Sequence, residues 1–425
     1  MEFKITSLDD IVEHCVDNRG KTCPTTEKEN EYLPLIATNC INDERLYPEL
    51  LKTRSIDEET YLNWFRSHPE PGDIIFVNKG TPGKTAFVPE KVNFCIAQDM
   101  VALRVKSEYY NRYIYAVLND PKVRDQIDNM QVGTLIPHFK KTDFKNLKLK
   151  IITNISKQKK IGDFYFNICK KIELNYNTIE KLQQVSQTLF KHWFIDFEFP
   201  NEEGNPYKSS GGEMVESELG EIPEGWVSSN ISEVCLLNKG SYSKKDGWSF
   251  INYLDTSSIT NNSITNIQLI DVEKEKVPSR AKRKILPNDI VYSTVRPNQY
   301  HYGLIKDPLP NMLASTGFTV IRSNSEYPND LIYMWLTQKE MTKHLQSVAE
   351  QSTSAYPSVK ADDIGKLKIL IPSKNLIKKL NDIICKNHNQ IWNYQQENKK
   401  LSELRDTLLP KLLSGEIEIL DNLEV

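Results

Sequence analysis

The segment GTPGKT, residues 80–85, has the residue types of a phosphate-binding loop, with two glycines followed by Lys84 and Thr85. Such a loop needs four residues between its glycines and must open a helix whose amino terminus faces the phosphate. Here Asn78 stands where the first glycine would have to be, and the segment lies between DIIFV (73–77) and TAFVP (85–89), two runs typical of strands. The pattern therefore predicts a β-hairpin with a polar tip rather than a nucleotide site.

The sequence lacks the common motifs of catalytic and metal sites. The seven cysteines form no C-x-x-C pair, which favours free thiols over zinc ligands or disulfides. Neither G-x-S-x-G nor H-E-x-x-H occurs. GNPYK (204–208) resembles the proline-tyrosine motif of adenine methyltransferases, but the chain has no glycine-rich strand-to-helix turn that would hold a cofactor, so a turn is expected. We expect no catalytic residue and no metal.

Composition and charge set the class of protein. With 425 residues and 39% hydrophobic content, the chain is long enough for several globular domains. No apolar run approaches the roughly 18 residues of a membrane span, and the amino terminus is unlike a signal peptide, so we expect a cytoplasmic protein without membrane contact. The net charge is −3, but residues 196–225 are acidic whereas 138–160 and 274–285 are basic. This segregation permits DNA binding without establishing it.

The chain contains two diverged copies of one large unit. PGDIIFVNKGTPGKTAFVP (71–89) aligns with PNDIVYSTVRPNQYHYGLI (287–305), and both lead to an apolar residue followed by arginine, in VALR and TVIR. GTLIPHFKKTDFKNLKLKII (133–152) aligns with TSAYPSVKADDIGKLKILIP (353–372). The offset is about half the chain, far longer than the repeat of a solenoid.

Each copy ends in a long helix. Apolar residues recur every three or four positions from Ile161 to Trp193 and again from Leu380 to Leu412, which is typical of a coiled-coil seam. Polar Asn175, Asn387 and Asn398 lie within the two seams and are expected to help fix their register. The positions that we expect at the coiled-coil or subunit interface are Ile168, Ile172, Ile179, Leu182, Leu189, Trp193, Ile391, Leu401, Leu408 and Leu412.

Three segments carry a family resemblance. HWFIDFEFP (192–200), ESELGEIPEGW (216–226) and RDTLLPKLLSGEIEI (405–419), together with two globules separated by a helix, resemble the specificity (S) subunit of type I restriction-modification systems. The resemblance covers the whole chain. One departure is that the first globule begins MEFKITSLDDI and has no G-x-I-P-x-G-W entry of its own.

The predicted fold class is α+β. Two homologous mixed strand-and-helix target recognition domains are separated by two long helices, which form an antiparallel coiled coil related by a pseudo-two-fold internal repeat. The predicted boundaries are 1–155 for target recognition domain 1, 156–196 for the central helix, 197–226 for an acidic linker, 227–372 for target recognition domain 2, 373–416 for the C-terminal helix and 417–425 for a tail.

The resemblance implies a non-catalytic DNA-binding subunit. Each domain would read one half of a split double-stranded DNA target, and the paired helices would set the spacing between the halves. The helices and the linker would dock two methyltransferase (M) subunits, and restriction/translocation (R) subunits would join the full complex. This chain would bind no cofactor, since S-adenosylmethionine would belong to the methyltransferase subunit and ATP with Mg to the restriction subunit.

Two pairs of polar loops are the candidate DNA contacts. The hairpin tips differ between copies, as a base-reading loop can and a catalytic loop cannot, and their side chains suit different base edges. Solvated turns remain the alternative for any single residue. The candidates in the first copy are Lys79, Thr81, Lys84, Thr134, His138, Lys140 and Lys141. Those in the second copy are Arg296, Asn298, Gln299, Tyr300, Ser354, Tyr356, Ser358 and Lys360.

Two other functions stay open at this point. A stand-alone DNA-modifying enzyme would need a catalytic constellation, for which the motifs above give no support. A coiled-coil scaffold without a DNA role would explain the helices but would leave the basic runs and the divergent tips unused. The sequence does not give the half-site bases, the spacer length or the subunit stoichiometry.

Overall fold

The computed structural model describes residues 1–18, 20, 22–50, 53–133, 135–324, 327–351 and 357–419. The chain divides into two compact units, Met1–Asn177 with Gln396–Val425, and Thr178–Gln395. Each unit consists of one globule and parts of two long helices. Within the described ranges, no helix has the length and apolar character needed to cross a membrane.

The first globule is built from short strands and four helices. Its strands are β1 (Phe3–Ser7), β2 (Val12–Val16), β3 (Leu33–Ile36), β4 (Arg54–Ile56), β5 (Ile74–Val77), β6 (Thr85–Phe87), β7 (Cys95–Ile96), β8 (Met100–Val105) and β9 (Lys148–Ile152). Its helices are α1 (Leu8–Ile11), α2 (Glu58–Asn63), α3 (Asn111–Leu118) and α4 (Pro121–Met130). A long helix, α5 (Ile155–Phe194), follows.

An antiparallel four-stranded sheet, ordered β2-β8-β5-β6, is the centre of this globule. Successive side chains of a strand point to opposite faces. Ile74 and Phe76 of β5 therefore join one apolar cluster, and Ile75 and Val77 join another on the other face. The remaining strands form a β4-β3-β7 sheet and a β1-β9 pair. Burial on both faces explains why this strand reads as an unbroken apolar run.

The second globule has a related set of elements. Its strands are β10 (Met214–Ser217), β11 (Gly220–Pro223), β12 (Val227–Asn230), β13 (Cys235–Leu237), β14 (Phe250–Leu254), β15 (Ile259–Thr260), β16 (Ser263–Ile264), β17 (Gln268–Asp271), β18 (Ala281–Lys284), β19 (Asp289–Ser293), β20 (Tyr302–Ile305), β21 (Met312–Ser315), β22 (Phe318–Ser323) and β23 (Lys368–Ile371). Its helices are α6 (Ile231–Val234), α7 (Asn329–Leu336), α8 (Lys339–Glu350) and α9 (Ala361–Gly365), and the second long helix is α10 (Lys374–Ser414).

The sheets confirm the internal duplication. The central sheet of the second globule is again antiparallel and four-stranded, ordered β13-β22-β19-β20. A second sheet, β17-β14-β21-β18, contains a parallel β14-β21 pair that matches the parallel β3-β7 pair of the first globule. The β12-β23 pair likewise matches β1-β9. The predicted mixed strand-and-helix repeat is therefore present in both units.

The long helices pack antiparallel within each unit. In the first unit, Asn175 Nδ2 donates to Asn398 Oδ1 at 2.8 Å, and in the second Asn387 Nδ2 donates to Ser186 Oγ at 3.0 Å. Later residues of α5 thus meet earlier residues of α10. The interface positions predicted from the seam are buried or half-buried. The helices are slightly shorter than predicted, and the left-handed Gly415 (φ 83°) follows the last residue of α10.

The predicted acidic linker is a packed part of the second unit. Its Phe199, Ile222 and Trp226 belong to the apolar cluster that also contains Phe194 at the end of α5. The Tyr207 ring of GNPYK stacks on Phe199 with the ring centroids 4.6 Å apart. GNPYK is accordingly a turn, as expected from the sequence. The packing of its tyrosine is an additional finding.

Candidate nucleic-acid interface

The GTPGKT segment is the tip of a hairpin. Strands β5 and β6 pair antiparallel with Ile74 opposite Phe87, and the Val77 N–H donates to the Lys84 carbonyl at 2.9 Å. Strand β6 begins directly after Lys84, where a phosphate-binding loop would open a helix. The hairpin prediction is confirmed, and its equivalent between β19 and β20 has the same antiparallel frame.

Each hairpin tip is held against the second candidate segment of its own copy. In the first copy, the Gly80 N–H donates to the Pro137 carbonyl at 2.9 Å, and the Phe139 N–H donates to the Asn78 carbonyl at 2.7 Å. In the second copy, Arg296 N–H donates to the Pro357 carbonyl at 3.1 Å, and Val359 N–H donates to the Thr294 carbonyl at 2.8 Å. These bonds make His138 equivalent to Ser358 and Lys140 equivalent to Lys360. The two candidate segments therefore form one surface in each copy.

A third segment, missed in the sequence, joins each surface. The Asn78 and Lys79 N–H groups donate to the Asp99 carbonyl at 2.9 and 3.2 Å. In the second copy, the Thr294 N–H donates to the Gly317 carbonyl at 2.8 Å. We define candidate surface 1 as residues 78–84, 98–99 and 137–141. Candidate surface 2 comprises residues 294–301, 316–317 and 357–360.

Candidate surface 1 borders an open groove of about 580 Å³. The predicted Lys79, His138, Lys140 and Lys141 line it together with Thr22, Gln98 and Asp99, which the sequence analysis did not single out. Two of the lysines have acidic neighbours, since Lys79 Nζ lies 3.9 Å from Asp99 and Lys141 Nζ lies 3.6 Å from Asp17. The groove thus offers several cationic donors and one carboxylate acceptor to a ligand.

The other candidates of the first copy do not line the groove. Lys84 Nζ lies 3.5 Å from an Asp43 carboxylate oxygen, and the same carboxylate accepts from Arg124 of α4 at 3.1 Å. Thr81 is exposed at the tip. Thr134 lies outside the described residues. The structure thus separates Lys84 from the cluster that contains Lys79.

Candidate surface 2 presents a different set of side chains. Pro297–Gln299 form a short 3-10 helix, and the Asn298 N–H donates to Gln346 Oε1 of α8 at 3.2 Å. The predicted residues that are exposed on this surface are Arg296, Asn298, Gln299, Tyr300, Ser358 and Lys360. Ser354 and Tyr356 lie outside the described residues.

The backbone at Arg296 is left-handed. Its φ is 47°, while Gly80 at the equivalent position has a φ of 88°. A residue with a Cβ loses about 1–2 kcal/mol in this conformation, whereas glycine adopts it readily. The second copy therefore has an arginine at a position where the backbone favours glycine.

The basic run 274–285 reaches candidate surface 2. The Thr316 N–H donates to the Arg280 carbonyl at 2.8 Å, and Thr316 belongs to the turn that holds the second tip. Arg280 and Lys282 are exposed. In the sequence this run stands out only by its charge, because its pairing with the turn depends on the sheet.

Both copies of the duplicated unit match one known protein family. A family model described as "Type I restriction modification DNA specificity domain" matches residues 1–184 and 223–403. The chain belongs to this family. Each matched part contains one of the two candidate surfaces, so the DNA specificity domain occurs twice.

Known relatives and a solved structure agree with the assignment to the specificity family. The chain is 27% identical to the type I restriction enzyme HindI specificity subunit of Haemophilus influenzae over 37% of this chain, a match that spans only about a third (34%) of that subunit. It is 22% identical to the MjaVIII specificity subunit of Methanocaldococcus jannaschii over 98% of this chain and 93% of the relative. The fold is similar to the crystal structure of the type I S subunit from M. genitalium, with a TM-score of 0.59, 17% identity and coverage of 97% and 96% of the two chains.

Both specificity domains have the same arginine–aspartate ion pair at the base of the hairpin. The Arg104 guanidinium donates twice to Asp73, at 3.0 and 3.0 Å, and Arg322 donates twice to Asp289, at 2.7 and 2.6 Å. These are the arginines of VALR and TVIR. The hydrogen bonds to Asp73 and Asp289 raise the pKa of both guanidinium groups above the ordinary arginine value. Each pair joins the start of the hairpin strand to its neighbouring strand.

The described residues of the specificity domains contain no group of three or more histidine, cysteine, aspartate or glutamate side chains that could hold a metal ion. All seven cysteines are free. Burial raises the pKa of the Cys23 thiol to about 11 and that of the Cys95 thiol to about 12. These two thiols are therefore poor nucleophiles near neutral pH.

Proposed function

We propose that this chain is the specificity subunit of a type I restriction-modification complex and reads a bipartite, asymmetric double-stranded DNA target. One observation carries the proposal. The two candidate surfaces are built on equivalent backbone hydrogen bonds but present different side chains at equivalent positions, including Gly80 and Arg296, His138 and Ser358, and Asp99 and Gly317. Two unlike half-sites require the same backbone frame with different exposed side chains.

The exposed residue types suit the chemistry of base edges and phosphates. Arginine and lysine read guanine O6 and N7, and asparagine and glutamine read adenine N6 and N7. Arg296, Asn298 and Gln299 thus fit base reading on candidate surface 2. Lys140, Lys360 and other exposed cations at the edges fit phosphate contacts, which fix position without reading sequence.

The remaining activities of the complex belong to partner subunits. Two methyltransferase subunits would dock on the long helices and bring S-adenosylmethionine, and restriction subunits would bring ATP and Mg in the full complex. This chain itself would be non-catalytic and would work in the cytoplasm, where the DNA lies. Exposed apolar side chains on α5 and α10 fit such docking, and they include Leu174, Val185, Ile383 and Leu404.

An exchange of one domain tests the proposal. Residues 227–372 would be replaced by the equivalent segment of a relative, and methylated sites would be mapped in host DNA by single-molecule sequencing. We expect the wild-type target to have two unlike half-sites, of which the exchange changes only one. A palindromic wild-type target with identical halves, or a change in both halves, would contradict the proposal that the copies read separately.

A further inference from the structure

Asp99 is an acidic side chain in a groove that is otherwise lined by cationic and neutral residues. Its carboxylate is 41% exposed and its Oδ1 lies 3.9 Å from Lys79 Nζ, which is itself 52% exposed. An ion pair this exposed contributes little to stability. A carboxylate facing a DNA backbone also repels its phosphates. Neither folding stability nor phosphate binding therefore accounts for an acid at this place.

The backbone holds Asp99 firmly beside Lys79. The Asp99 carbonyl accepts from the N–H groups of both Asn78 and Lys79. The Asn78 side chain is buried and donates to the Phe139 carbonyl at 2.9 Å, which ties the same point to residues 137–141 of candidate surface 1. Lys79 and Asp99 are therefore presented together, as one donor and one acceptor on a fixed frame.

The second copy has no acid at the equivalent position. Gly317 occupies it, and a Cβ there would lie 2.8 Å from the Thr256 Cγ2 methyl group, so any larger residue would require Thr256 to move. The carboxylate is thus a property of candidate surface 1 alone. A difference of this kind is expected of a residue that distinguishes one half-site from the other.

We propose, building on the DNA-reading function above, that Lys79 and Asp99 together read a single G·C base pair in the half-site of the first domain. A carboxylate only accepts hydrogen bonds, and the major-groove donors open to it are the N4 amine of cytosine, its usual partner, and the N6 amine of adenine. Lysine only donates, and the choice falls on G·C because guanine offers it two acceptors, O6 and N7, where thymine offers only O4. In a G·C pair, O6 and N4 are hydrogen-bonded to each other and so lie about 2.9 Å apart. The 3.9 Å separation of the two side-chain atoms is compatible with one contact to each base.

Selection from a DNA library tests the inference. The chain would be assembled with its methyltransferase subunits and incubated with double-stranded DNA in which the first half-site is randomised, and the retained DNA would be sequenced. The variants are Lys79→Ala, Asp99→Asn, Asp99→Ser and the double variant Lys79→Ala with Asp99→Asn. Asp43→Asn is the matched control, because Asp43 is similarly exposed and pairs with Lys84 of the same tip but does not line the groove.

We expect each single variant to lower the preference for G·C about tenfold at one and the same position, and the double variant to lower it further. Asp43→Asn should leave the base preferences unchanged. The inference is overturned if both Asp99 variants keep the wild-type preferences, or if the Lys79 and Asp99 variants affect different positions. It is also overturned if the double variant equals Lys79→Ala, because Asp99 would then only orient the lysine. A wild-type complex without any base preference would instead refute the DNA-reading function itself.

Discussion

Candidate surface 1 and candidate surface 2 differ in the way their tips are closed. The first tip, residues 78–84, turns through two left-handed glycines, Gly80 and Gly83. It is closed by a hydrogen bond from the Val77 N–H to the Lys84 carbonyl. The second tip, residues 294–301, contains a 3-10 helix that is braced by Gln346 of α8. The strands below both tips nevertheless pair alike.

This difference shows which parts of the domain are free to vary. The frame depends on backbone hydrogen bonds and on the buried arginine–aspartate pair, and both copies have these contacts. Backbone hydrogen bonds form largely independently of side-chain identity, so the exposed side chains can change while the strands keep their register. We therefore expect substitutions in the frame to affect folding of one unit, and substitutions on the surface to affect DNA.

The largest effect is expected from the buried arginine–aspartate pairs. Asp73 is 2% exposed and Asp289 is fully buried, so Arg104→Ala or Arg322→Ala leaves a buried carboxylate without its cation. A backbone N–H, that of Glu70 or of Leu286, still donates to it. Each substitution should cost about 3–5 kcal/mol in the free energy of unfolding. Because the pair is the same in both copies, the two losses should be similar. Chemical denaturation gives the size of the loss.

Hydrogen exchange locates the effect of these two substitutions. Arg322→Ala should speed exchange in β19 and β22 and leave β5 and β8 unchanged, and Arg104→Ala should do the reverse. Arginine to lysine at each site is the control, since it keeps the charge but loses the two-point contact and should cost less. Exchange that rises in both globules after either substitution would mean that the frame of one unit depends on the other.

A smaller effect of opposite sign is expected at the equivalent positions Arg296 and Gly80. Arg296→Gly should relieve the left-handed backbone and raise the free energy of unfolding by about 1 kcal/mol. It should also reduce discrimination at one or two base pairs by about 1–3 kcal/mol, because the side chain that we propose to read guanine is lost. Denaturation and DNA selection measure the two effects.

Gly80→Ala is the matched change on candidate surface 1. An added Cβ meets little there, since its nearest neighbour is Thr38 Oγ1 at 4.0 Å, so the cost is conformational and amounts to about 1 kcal/mol of stability. Base preference should stay as in the wild type. If Arg296→Gly kept full discrimination, Arg296 would have to be removed from the base-reading residues.

The sequence predicted the frame better than the reading surface. The alignment of 71–89 with 287–305 and of 133–152 with 353–372 is in the register that the hydrogen bonds at Asn78, Thr294, Phe139 and Val359 show. Repetition of strand patterns made this possible, because period and turn positions survive divergence. Asp99 and Gly317 were missed because each is a single residue before a strand, and only the pairing of Val77 with Met100 places that turn beside the tip. The salt bridge that turns Lys84 toward Asp43 is a tertiary contact and could not be predicted from spacing.

Lys140 and Lys141 form a cationic edge of candidate surface 1, and their removal tests whether this edge binds DNA phosphates. Lys140→Ala with Lys141→Ala should weaken binding of all DNA sequences similarly. If both contact phosphates, the slope of log affinity against log salt should become shallower by about 1.8, since each contact contributes about −0.9 to it. Because Lys141 already has Asp17 as a neighbour, a change nearer 0.9 would indicate that Lys140 alone makes the contact.

The control for the lysine pair is Lys244→Ala with Lys245→Ala, two adjacent exposed lysines outside both candidate surfaces. Their removal should leave the salt slope unchanged. A change in base preference after the Lys140 and Lys141 substitutions, rather than a uniform loss of affinity, would move these lysines from phosphate contacts to base contacts.

The smallest effect is expected in the helix pair, where the two units bury different polar contacts. In the first unit, Asn175 Nδ2 donates to Glu397 as well as to Asn398, and the buried Nδ2 of Asn398 has no hydrogen-bond partner among the described residues. Asn398→Leu removes that unpaired donor and leaves Asn175 its bond to Glu397. It also removes the acceptor of the second Asn175 Nδ2 hydrogen. The two changes offset each other, so the free energy of unfolding should change by less than about 1 kcal/mol. In the second unit, Asn387→Leu takes away the bond to the buried Ser186 hydroxyl and should cost about 0.5–1.5 kcal/mol. Denaturation of the two variants side by side measures the contrast. A loss of stability in the Asn398 variant as large as that in the Asn387 variant would show that both asparagines fix the register of the coiled coil, as the seam pattern alone predicts.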